Sequence, residues 1–539
     1  MAKDQLPPDS ALTSGTHISY WTDSVEPLSF DQLNENIETD VVIVGGGIAG
    51  LSVAYCLAHS GKKCVVIEDG VIGSGESGRT SAHLVNALDD RYYEIERIFG
   101  EDGAKLAAQS HTAAINFIER TSEQENIDCE FKRLSGYLFL DFSDKEDSLK
   151  KEFEALKRVG ISANWLEEVP HMKTGKRECI EFLNQAQFHP LKYLHGLAHA
   201  IIKKGGHIFT NTHAKEIDET GIITSNDFKV SAKHIVVATN SPVNNKYVMH
   251  LKQFPYRTYI IGATVKKNTL PHSLWWDTGD HDANKQVPPY HYIRLQEYND
   301  EYDLMIAGGA DHPTGLPEAQ DASEITAYSA LEGWVKGRFP IEEIVYRWSG
   351  QVFEPMDALG FIGRNPMDKK NVYIVTGDSG NGLTHGTIAG MLLNDLIHEK
   401  ENPWEKIYNP ARTNFLKTGQ AFLKQFFGGL LQYLKHSPKD ADKIEISSIK
   451  AGDAKVIELD NEKYGAYRDD QGELHLVSAT CTHLGCTVRW NTDEKSWDCP
   501  CHGSRFSYEG KVMNGPAIEN LAYHNEESEI FQKEVSLDR

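Results

Sequence analysis

Hydrophobic positions near the start of the chain follow a strand–helix–strand order. Residues 41–44 are a short β-branched apolar run, typical of a buried parallel strand. Residues 51–61 place apolar side chains at helical spacing and end at a glycine, which indicates a helix. A second apolar run at 64–67 ends before Glu68. This order predicts a βαβ unit of an α/β fold.

Three later segments extend this pattern. Residues 233–243 predict a returning strand. Residues 371–390 predict a strand, a glycine-rich turn and a helix that starts at Thr384. Residues 411–436 repeat apolar side chains every three or four positions and carry lysines on the other face, which predicts an amphipathic helix. This helix could pack against the rest of the protein or dock at a membrane surface.

Length and charge limit the possible classes of protein. A chain of 539 residues is too long for one core, so two or three domains are expected. The net charge of −23 repels phosphates, and we expect no nucleic-acid partner. Neither a secretory signal nor an apolar run of about 18 residues is visible, which predicts a cytoplasmic location and no transmembrane segment.

The predicted βαβ unit contains a dinucleotide-binding pattern. Gly45, Gly47 and Gly50 have G-x-G-x-x-G spacing between the first strand and the helix. The first glycine allows a tight turn, the second lets the backbone approach a pyrophosphate, and the third lets helix and strand pack closely. Glu68 can accept hydrogen bonds from ribose hydroxyls. Because all these parts agree, we predict a dinucleotide site.

The glycine-rich turn before Thr384 distinguishes FAD from NAD. It provides a second helix N-terminus, whose positive end suits the electron-rich side of a reduced flavin. An NAD enzyme has no need of such a helix. The sequence therefore predicts FAD.

Residues 40–400 resemble the D-amino-acid-oxidase-like family of FAD-dependent oxidoreductases, which includes glycine and sarcosine oxidases. The motifs that carry the resemblance are GGGIAG, SGESGRTSAHLV, VVATNSPV, YHYIRL/LMIAGGADH, RWSGQVFEPMDALGFIGR and GDSGNGLTHG. Some relatives attach FAD covalently through a histidine, but His83 is displaced by one residue from that position, so we predict non-covalent FAD. By resemblance, the residues expected to bind FAD are Gly45, Gly47, Gly50, Glu68, Arg79, Thr80, Ser81, Ala214, Thr239, Gly377, Gly382, Leu383 and Thr384.

The C-terminal region contains four cysteines and two histidines within residues 481–506. Cys481-x-His483 and Cys499-x-x-His502 could together bind zinc in a tetrahedral site. One cysteine and one histidine from each loop is also the donor set of a [2Fe–2S] centre in which two histidines hold one iron. The glycines beside these residues allow tight turns, which favours the iron–sulfur interpretation.

Residues 444–535 resemble the Rieske domain, in the disulfide-containing form known from quinol-oxidising complexes. The resemblance implies that Ser504 donates a hydrogen bond to a cluster sulfur, and that Phe506 replaces a tyrosine that would donate another. The metal ligands implied by the resemblance are Cys481, His483, Cys499 and His502, and the implied disulfide joins Cys486 to Cys501.

The predicted fold class is an α/β Rossmann-like FAD domain with an interleaved antiparallel-sheet substrate domain, followed by an all-β Rieske domain. A helical linker separates the two halves. The expected bounds are 1–37 for an N-terminal extension, 38–405 for the oxidoreductase (FAD domain 38–90, 186–249 and 346–405; substrate domain 91–185 and 250–345), 406–443 for the linker and 444–535 for the Rieske domain.

The predicted function is oxidation of a small organic donor, with an amine expected, and single-electron transfer through the cluster to an external protein or quinone. The alternatives are an oxygen-using oxidase with an idle cluster, and an electron-transfer module without a small substrate. Candidate catalytic residues are Tyr259, Tyr292 and Arg294, each of which could equally be an ordinary sheet residue. Amino-acid-oxidising relatives carry a carboxylate-binding arginine where this chain has Val352, so simple amino acids are expected to be poor substrates unless Arg257 or Arg294 substitutes.

Overall fold

The computed structural model describes most of the chain. The described residues are 15, 17–141, 143–144, 146–172, 177–244, 249–279, 290–315, 326–366, 368–414, 446–459 and 462–524. The predicted amphipathic helix at 411–436 lies almost entirely outside them. None of the described helices is long and apolar enough to cross a membrane.

The first sheet is the predicted Rossmann-like sheet. Numbered in chain order, its strands are β1 (Ile37–Val44), β2 (Cys64–Ile67), β7 (His207–Phe209), β8 (Ala214–Asp218), β9 (Gly221–Thr224), β10 (Lys229–Val237), β16 (Phe361–Arg364) and β17 (Val372–Thr376). The central strands are parallel, in the order β17-β10-β1-β2-β7, and β16 adds an antiparallel edge beside β17. The apolar β-branched runs form the interior strands because both faces of this sheet are covered.

The second sheet has nine strands. They are β3 (His83–Leu84), β4 (Lys132–Phe139), β5 (Ala163–Leu166), β6 (Cys179–Gln187), β11 (Gln253–Lys266), β12 (Leu274–Asp277), β13 (Tyr292–Glu297), β14 (Tyr302–Pro313) and β15 (Ile344–Pro355). Their order is β15-β11-β14-β13-β12-β4-β6-β3, with β5 beside β6. All the pairs are antiparallel except β4 with β12.

The helices pack mainly around the first sheet. Gly386 and Gly390 let one helix approach another closely, since a Cβ on Gly390 would lie 2.6 Å from the carbonyl oxygen of Ser52. The described α-helices are α1 (Tyr20–Asp23), α2 (Ile48–His59), α3 (Tyr92–Gln124, kinked at Gly100), α4 (Glu146–Val159), α5 (Pro190–Lys203), α6 (Ala327–Lys336), α7 (Gly382–Ile397) and α8 (Glu405–Tyr408).

The C-terminal region forms two four-stranded antiparallel sheets. The strands are β18 (Ala454–Leu459), β19 (Glu462–Arg468), β20 (Leu474–Ser478), β21 (Arg489–Asn491), β22 (Ser496–Asp498), β23 (Arg505–Ser507), β24 (Val512–Asn514) and β25 (Tyr523–His524). The sheet orders are β18-β19-β20-β25 and β21-β22-β23-β24. Trp497 and Phe506 are fully buried between these elements. The two cysteine–histidine loops follow β20 and β22.

Candidate functional site

A cavity of about 730 Å³ lies at the carboxyl ends of the parallel strands of the first sheet. The residues that follow β1, β2 and β10 line it, as do residues from the second sheet and from the C-terminal domain. Ligands of open α/β sheets bind in this position. The volume is in the range of small-molecule and cofactor sites.

The glycine-rich loop forms the cradle that the sequence predicts. Gly45 has φ of +113°, and a Cβ there would lie 2.4 Å from the carbonyl oxygen of Ala238. A Cβ on Gly50 would lie 1.9 Å from the carbonyl oxygen of Gly45. Only glycine fits at either position, so the first turn of α2 lies directly against the cavity.

Glu68 lies at the end of β2 and lines the cavity. The backbone N–H groups of Gly46 and Gly70 donate hydrogen bonds to its carboxylate. Burial nevertheless raises the pKa of this carboxyl above its ordinary value. The carboxylate is thus held beside the cradle, where an acceptor for ribose hydroxyls is expected.

The N-terminus of α7 faces the opposite part of the cavity, where Gly382, Leu383 and Thr384 line the wall. The Thr384 hydroxyl lies 2.7 Å from Nδ1 of His111 and 3.1 Å from the carbonyl oxygen of Asn381. The N–H groups of this first turn carry partial positive charge. Two helix N-termini therefore point at one cavity, an arrangement suited to both the phosphates and the ring of FAD.

Eleven of the thirteen residues predicted to bind FAD line the cavity, and Gly50 and Gly377 do not. His83 also lines it, with ring nitrogens 3.0 Å from the Ser81 hydroxyl and 3.2 Å from the carbonyl oxygen of Ile293. Burial, with the nearby charge of Arg294, lowers the pKa of His83 to about 3. His83 is therefore a neutral, hydrogen-bonded part of the wall.

One end of the cavity is acidic. Asp89, Asp311, Glu354 and Asp378 line it, and Arg79 is the one arginine or lysine among the described lining residues. The Tyr290 hydroxyl donates to Asp89 over 2.7 Å. Ser379, which belongs to the turn before α7, donates to Asp90 over 2.6 Å and lies 3.0 Å from a Glu354 oxygen.

Burial raises the pKa values of four acids at this end of the cavity, which are Asp89, Asp90, Glu354 and Asp378. It raises the pKa of Asp378 to about 6 and that of Asp90 to about 7. The pKa of Glu354 is raised well above its ordinary value, first by burial and then by Asp90 and Asp89, and the pKa of Asp89 is raised by burial. A bound cation would offset the repulsion between these carboxylates and favour their ionised form.

The candidate catalytic residues occupy different positions. Tyr292 lines the cavity, and its hydroxyl lies 2.5 Å from that of Thr258. Tyr259 lies outside the lining because alternate side chains of β11 point to opposite faces of the sheet; its hydroxyl contacts His312 and Asn491. Arg294 also lies outside the lining and donates to the carbonyl oxygens of Ala82 and Phe188.

The C-terminal loops bring the four predicted cluster ligands together. Cys481 and Cys499 are buried in one apolar cluster, and the ring centroids of His483 and His502 are 5.0 Å apart. Nδ1 of His502 is buried, and no group of the described residues forms a hydrogen bond with it. Burial lowers the pKa of His502 to about 4, so its imidazole is neutral, as metal binding requires. This donor set fits a [2Fe–2S] cluster.

Two similar turns hold these ligands. The N–H of Gly485 donates to the carbonyl oxygen of Cys481, and the N–H of Gly503 donates to that of Cys499. Both glycines have positive φ values, +78° and +81°. Cys486 and Cys501 form a disulfide that links the two loops. Sulfur atoms of this disulfide lie within 4.8 Å of the Cys499 sulfur, but bonding to each other leaves them unavailable as thiolate ligands.

Two residues near the predicted ligands are relevant to the electronic properties of the cluster. The buried Ser504 hydroxyl oxygen accepts a bond of 3.0 Å from the Ala517 N–H, and the Ser504 carbonyl oxygen accepts one of 2.8 Å from the Cys499 N–H. Phe506 is fully buried in the same apolar cluster as Cys481 and Cys499. Because phenylalanine has no hydroxyl, it cannot donate to a ligand sulfur.

Glu494 joins the C-terminal domain to the rest of the chain. Its side chain is fully buried, with an oxygen 3.4 Å from Nη2 of Arg257 and 3.8 Å from Nη2 of Arg79. Arg505 lies 3.6 Å away and Nδ1 of His17 lies 3.2 Å away. Burial alone would raise the pKa of Glu494, but His17 and the arginines hold it well below its ordinary value. Both halves of the molecule therefore share one buried ionic cluster.

Two further contacts place the predicted cluster against the cavity wall. Gln351 lines the cavity, and its side-chain amide donates to the carbonyl oxygen of Gly503 over 3.0 Å. His250 packs its ring on the predicted ligands, with centroids 5.1 Å from His483 and 5.5 Å from His502. The cluster loop after β22 thus lies directly behind a residue of the cavity wall.

Comparison with known families agrees with both halves of this geometry. The sequence profile described as FAD dependent oxidoreductase (DAO) matches residues 40–396, and that described as Rieske [2Fe-2S] domain matches residues 442–525. The chain therefore belongs to the DAO family of FAD-dependent oxidoreductases and carries a C-terminal Rieske domain. It is an oxidoreductase that binds FAD and a [2Fe–2S] cluster, as predicted, and its fold class is confirmed.

Individual relatives match different shares of the chain. The chain is 32% identical over 507 residues to the putative Rieske 2Fe-2S iron-sulfur protein YhfW of Bacillus subtilis, covering 93% of this chain and 96% of that one. It is 28% identical to gamma-glutamylputrescine oxidoreductase of Escherichia coli, covering 72% and 90%. L-proline dehydrogenase of P. horikoshii has a similar structure, with a TM-score of 0.55 and 20% identity, covering 70% and 98%.

Several lining residues were not predicted from the sequence. The acids Asp89, Glu354 and Asp378 lie far apart in the chain and meet only in the fold. The one local signal for this acidic end is the adjacent pair Asp89–Asp90, which follows an apolar stretch. Residues 512–515, 517, 518 and 520 of the Rieske domain also line the cavity, and no local pattern indicates this contact.

Proposed function

We propose that the protein oxidises a cationic amine and passes the electrons one at a time, through the Rieske cluster, to an external acceptor. Bound FAD supplies a two-electron acceptor for the amine, and the cluster supplies a one-electron acceptor. The observation that carries this proposal is the cavity itself. Its walls combine the glycine-rich cradle, an acidic end and the Rieske domain.

The acidic end supports an amine substrate that carries a second positive charge. Asp89, Glu354 and Asp378 line this end with raised pKa values, and Arg79 is the one arginine or lysine among the described lining residues. Arg91, which is not among those lining residues, lowers the pKa of Asp89 in part, but burial outweighs it. Arg79 is already engaged with the carbonyl oxygens of Ser349 and His17. A substrate ammonium would supply the missing charge. The name of the Escherichia coli relative also indicates an amine-containing substrate for that protein.

The same wall disfavours substrates that are simple amino acids. Val352 lines the cavity where amino-acid-oxidising relatives carry arginine. Neither Arg257 nor Arg294 replaces that arginine, since both lie outside the lining and bind other partners. A substrate carboxylate would therefore meet carboxylates and gain no charge-assisted hydrogen bond from an arginine at this position.

The contact between Gln351 and Gly503 supports direct electron transfer between the two halves. Gln351 lies at the cavity surface, and Gly503 is adjacent to the predicted ligand His502. Gly503 has no room for a side chain, because a Cβ would lie 2.5 Å from Cβ of Pro255. The cluster loop thus packs against Pro255 and is hydrogen-bonded to Gln351 of the cavity wall.

The external acceptor and the location are further parts of the proposal. A Rieske domain transfers electrons to some acceptor, and we propose a protein or a quinone in this role. We place the enzyme in the cytoplasm, with docking at a membrane surface as the alternative that quinone reduction would require.

The test compares amines of matched length under anaerobic conditions. Aliphatic diamines should bleach the visible flavin bands of the purified protein, with monoamines of equal length slower. Glycine and sarcosine should bleach them far more slowly. Rapid turnover of glycine or sarcosine, or no bleaching by any amine, would contradict the proposal. Hydrogen peroxide formed in air at the rate of amine oxidation would favour the oxidase alternative.

A further inference from the structure

The Rieske domain forms part of the wall of the flavin cavity. Residues 512–515, 517, 518 and 520 line it together with the FAD-binding segments. A Cβ on Gly515 would lie 3.5 Å from a methyl carbon of Val243, which is ordinary van der Waals contact. The cavity is therefore closed on this side by a domain whose own cofactor is the cluster.

One hydrogen bond links this wall to the loop expected to lie along FAD. Nδ2 of Asn514 donates to Oε1 of Glu76 over 3.0 Å. The other carboxylate oxygen of Glu76 accepts a bond of 2.7 Å from the backbone N–H of Gln351. Glu76 thus ties its loop to both the second sheet and the Rieske domain.

The residue after Glu76 connects the loop to the phosphate cradle. The Ser77 hydroxyl accepts a hydrogen bond of 3.0 Å from the N–H of Ile48, in the first turn of α2. Arg79, Thr80 and Ser81 follow and line the cavity. A shift of Glu76 would therefore move the segment that lies between the cradle and the predicted FAD contacts.

The orientation of the Asn514 amide is fixed by Arg505. Nη1 of Arg505 donates to Oδ1 of Asn514 over 3.2 Å. Because a guanidinium can only donate, the amide oxygen must face Arg505 and the amide nitrogen must face Glu76. Arg505 in turn is fully buried beside Asp498 and Glu494, so the donor at Asn514 is held by the buried ionic cluster.

We propose that Asn514 is a positioning residue for FAD, which acts through Glu76, so that FAD binding depends on the docked Rieske domain. This role is separate from electron transfer. It requires no particular substrate or acceptor.

The test uses the full-length protein, freed of FAD and then titrated with FAD while flavin fluorescence is recorded. Asn514→Asp keeps the shape of the side chain but replaces the amide that donates to Glu76 with a carboxylate oxygen. Since a part-buried hydrogen bond is lost and repulsion is added, the dissociation constant should rise about tenfold or more. Glu76→Gln should also weaken binding, because an amide cannot accept from both Asn514 and Gln351.

The double variant is the decisive comparison. In Asn514→Asp/Glu76→Gln, the new amide at position 76 can donate to the new carboxylate at position 514, and its oxygen can still accept from Gln351. Affinity should therefore return towards wild type. Gln471→Glu, an exposed amide-to-acid change in the same domain, serves as the control and should leave affinity unchanged.

Iron content should be normal in every variant, because none of the changes touches a predicted cluster ligand. Three outcomes would each overturn the proposal: wild-type affinity in Asn514→Asp, a double variant as weak as the combined singles, or loss of iron in Asn514→Asp.

Discussion

The predicted cluster ligands come from two short loops of one small domain; they are Cys481, His483, Cys499 and His502. The flavin cavity, in contrast, is lined by segments distributed between residues 44 and 520. The cluster site is held by local turns and a disulfide. The cavity depends on two sheets, two helix N-termini and a neighbouring domain. A local site is defined by its ligands, so single substitutions there should have large and specific effects. In a distributed site the binding free energy comes from many contacts, so a single substitution should weaken binding only in part.

The largest effect is expected at a cluster ligand. His483→Cys adds a thiolate and makes the oxidised cluster more negative, which should lower its potential by some hundreds of millivolts. Reoxidation of the flavin by an artificial one-electron acceptor should slow, while reduction of the flavin by substrate stays intact. Redox titration followed by EPR, with stopped-flow absorbance of the flavin, measures both quantities. Reoxidation at the wild-type rate would show that the cluster is not on the electron path.

Removal of the shared ionic contact should have the next largest effect. Glu494→Ala leaves Arg79, Arg257 and Arg505 buried without this carboxylate, which should destabilise the docked arrangement by about 3–5 kcal/mol. Asp470→Asn removes an exposed pair with Lys495 in the same domain and should change stability by less than about 1 kcal/mol. Thermal unfolding and limited proteolysis of both variants make the comparison. Equal behaviour of the two variants would mean that the Glu494 cluster does not hold the domain.

The acidic end of the cavity should produce a graded, pH-dependent effect. Burial raises the pKa of Asp378 to about 6 and that of Asp90 to about 7, so both carboxyls are neutral at low pH and gain negative charge as pH rises. The KM ratio of a diamine to a monoamine of equal length should therefore fall as pH rises through these two values. Both substrates contain the amine that reacts, so the effect of its titration on KM cancels in the ratio. In Asp378→Asn the fall should be smaller, and binding of the diamine should weaken about tenfold. A ratio independent of pH would contradict recognition of a second ammonium.

The smallest effect is expected beside the cluster. Phe506→Tyr adds the hydroxyl that the resemblance to quinol-oxidising Rieske domains implies at this position, and one neutral hydrogen bond to a predicted ligand sulfur should raise the potential by roughly 20–60 mV. Potentiometric titration of the reduced cluster signal checks the shift. A potential equal to or below wild type would remove the assigned role of this position.

The same contrast explains what could be predicted from the sequence. Gly45, Gly47 and Gly50 could be grouped as a predicted cofactor loop because their spacing is set by one βαβ unit, and the predicted cluster ligands could be grouped because two loops supply them. Asp89, Glu354 and Asp378 could not be grouped, because their proximity depends on how the strands of two sheets and the turn before α7 pack.

Neighbouring strand residues show a second limit of sequence patterns. The two-residue period places Tyr292 and Arg294 on the same face of β13, but Tyr292 alone of these two reaches the cavity lining. Arg294 is directed instead to Ala82 and Phe188. The contact of the Rieske domain with the cavity could not be predicted from a local sequence pattern, because the residues that meet there, Asn514 and Glu76, are 438 residues apart.

Electrons from a cationic amine are proposed to reach the Rieske cluster through the flavin. This path is tested by adding half an equivalent of an aliphatic diamine per chain anaerobically and recording flavin absorbance together with the EPR signal of the reduced cluster. Half an equivalent supplies one electron per chain, so we expect the cluster signal to appear while most of the flavin returns to its oxidised colour. Bleached flavin with no cluster signal, even after prolonged incubation with excess diamine, would rule out this electron path.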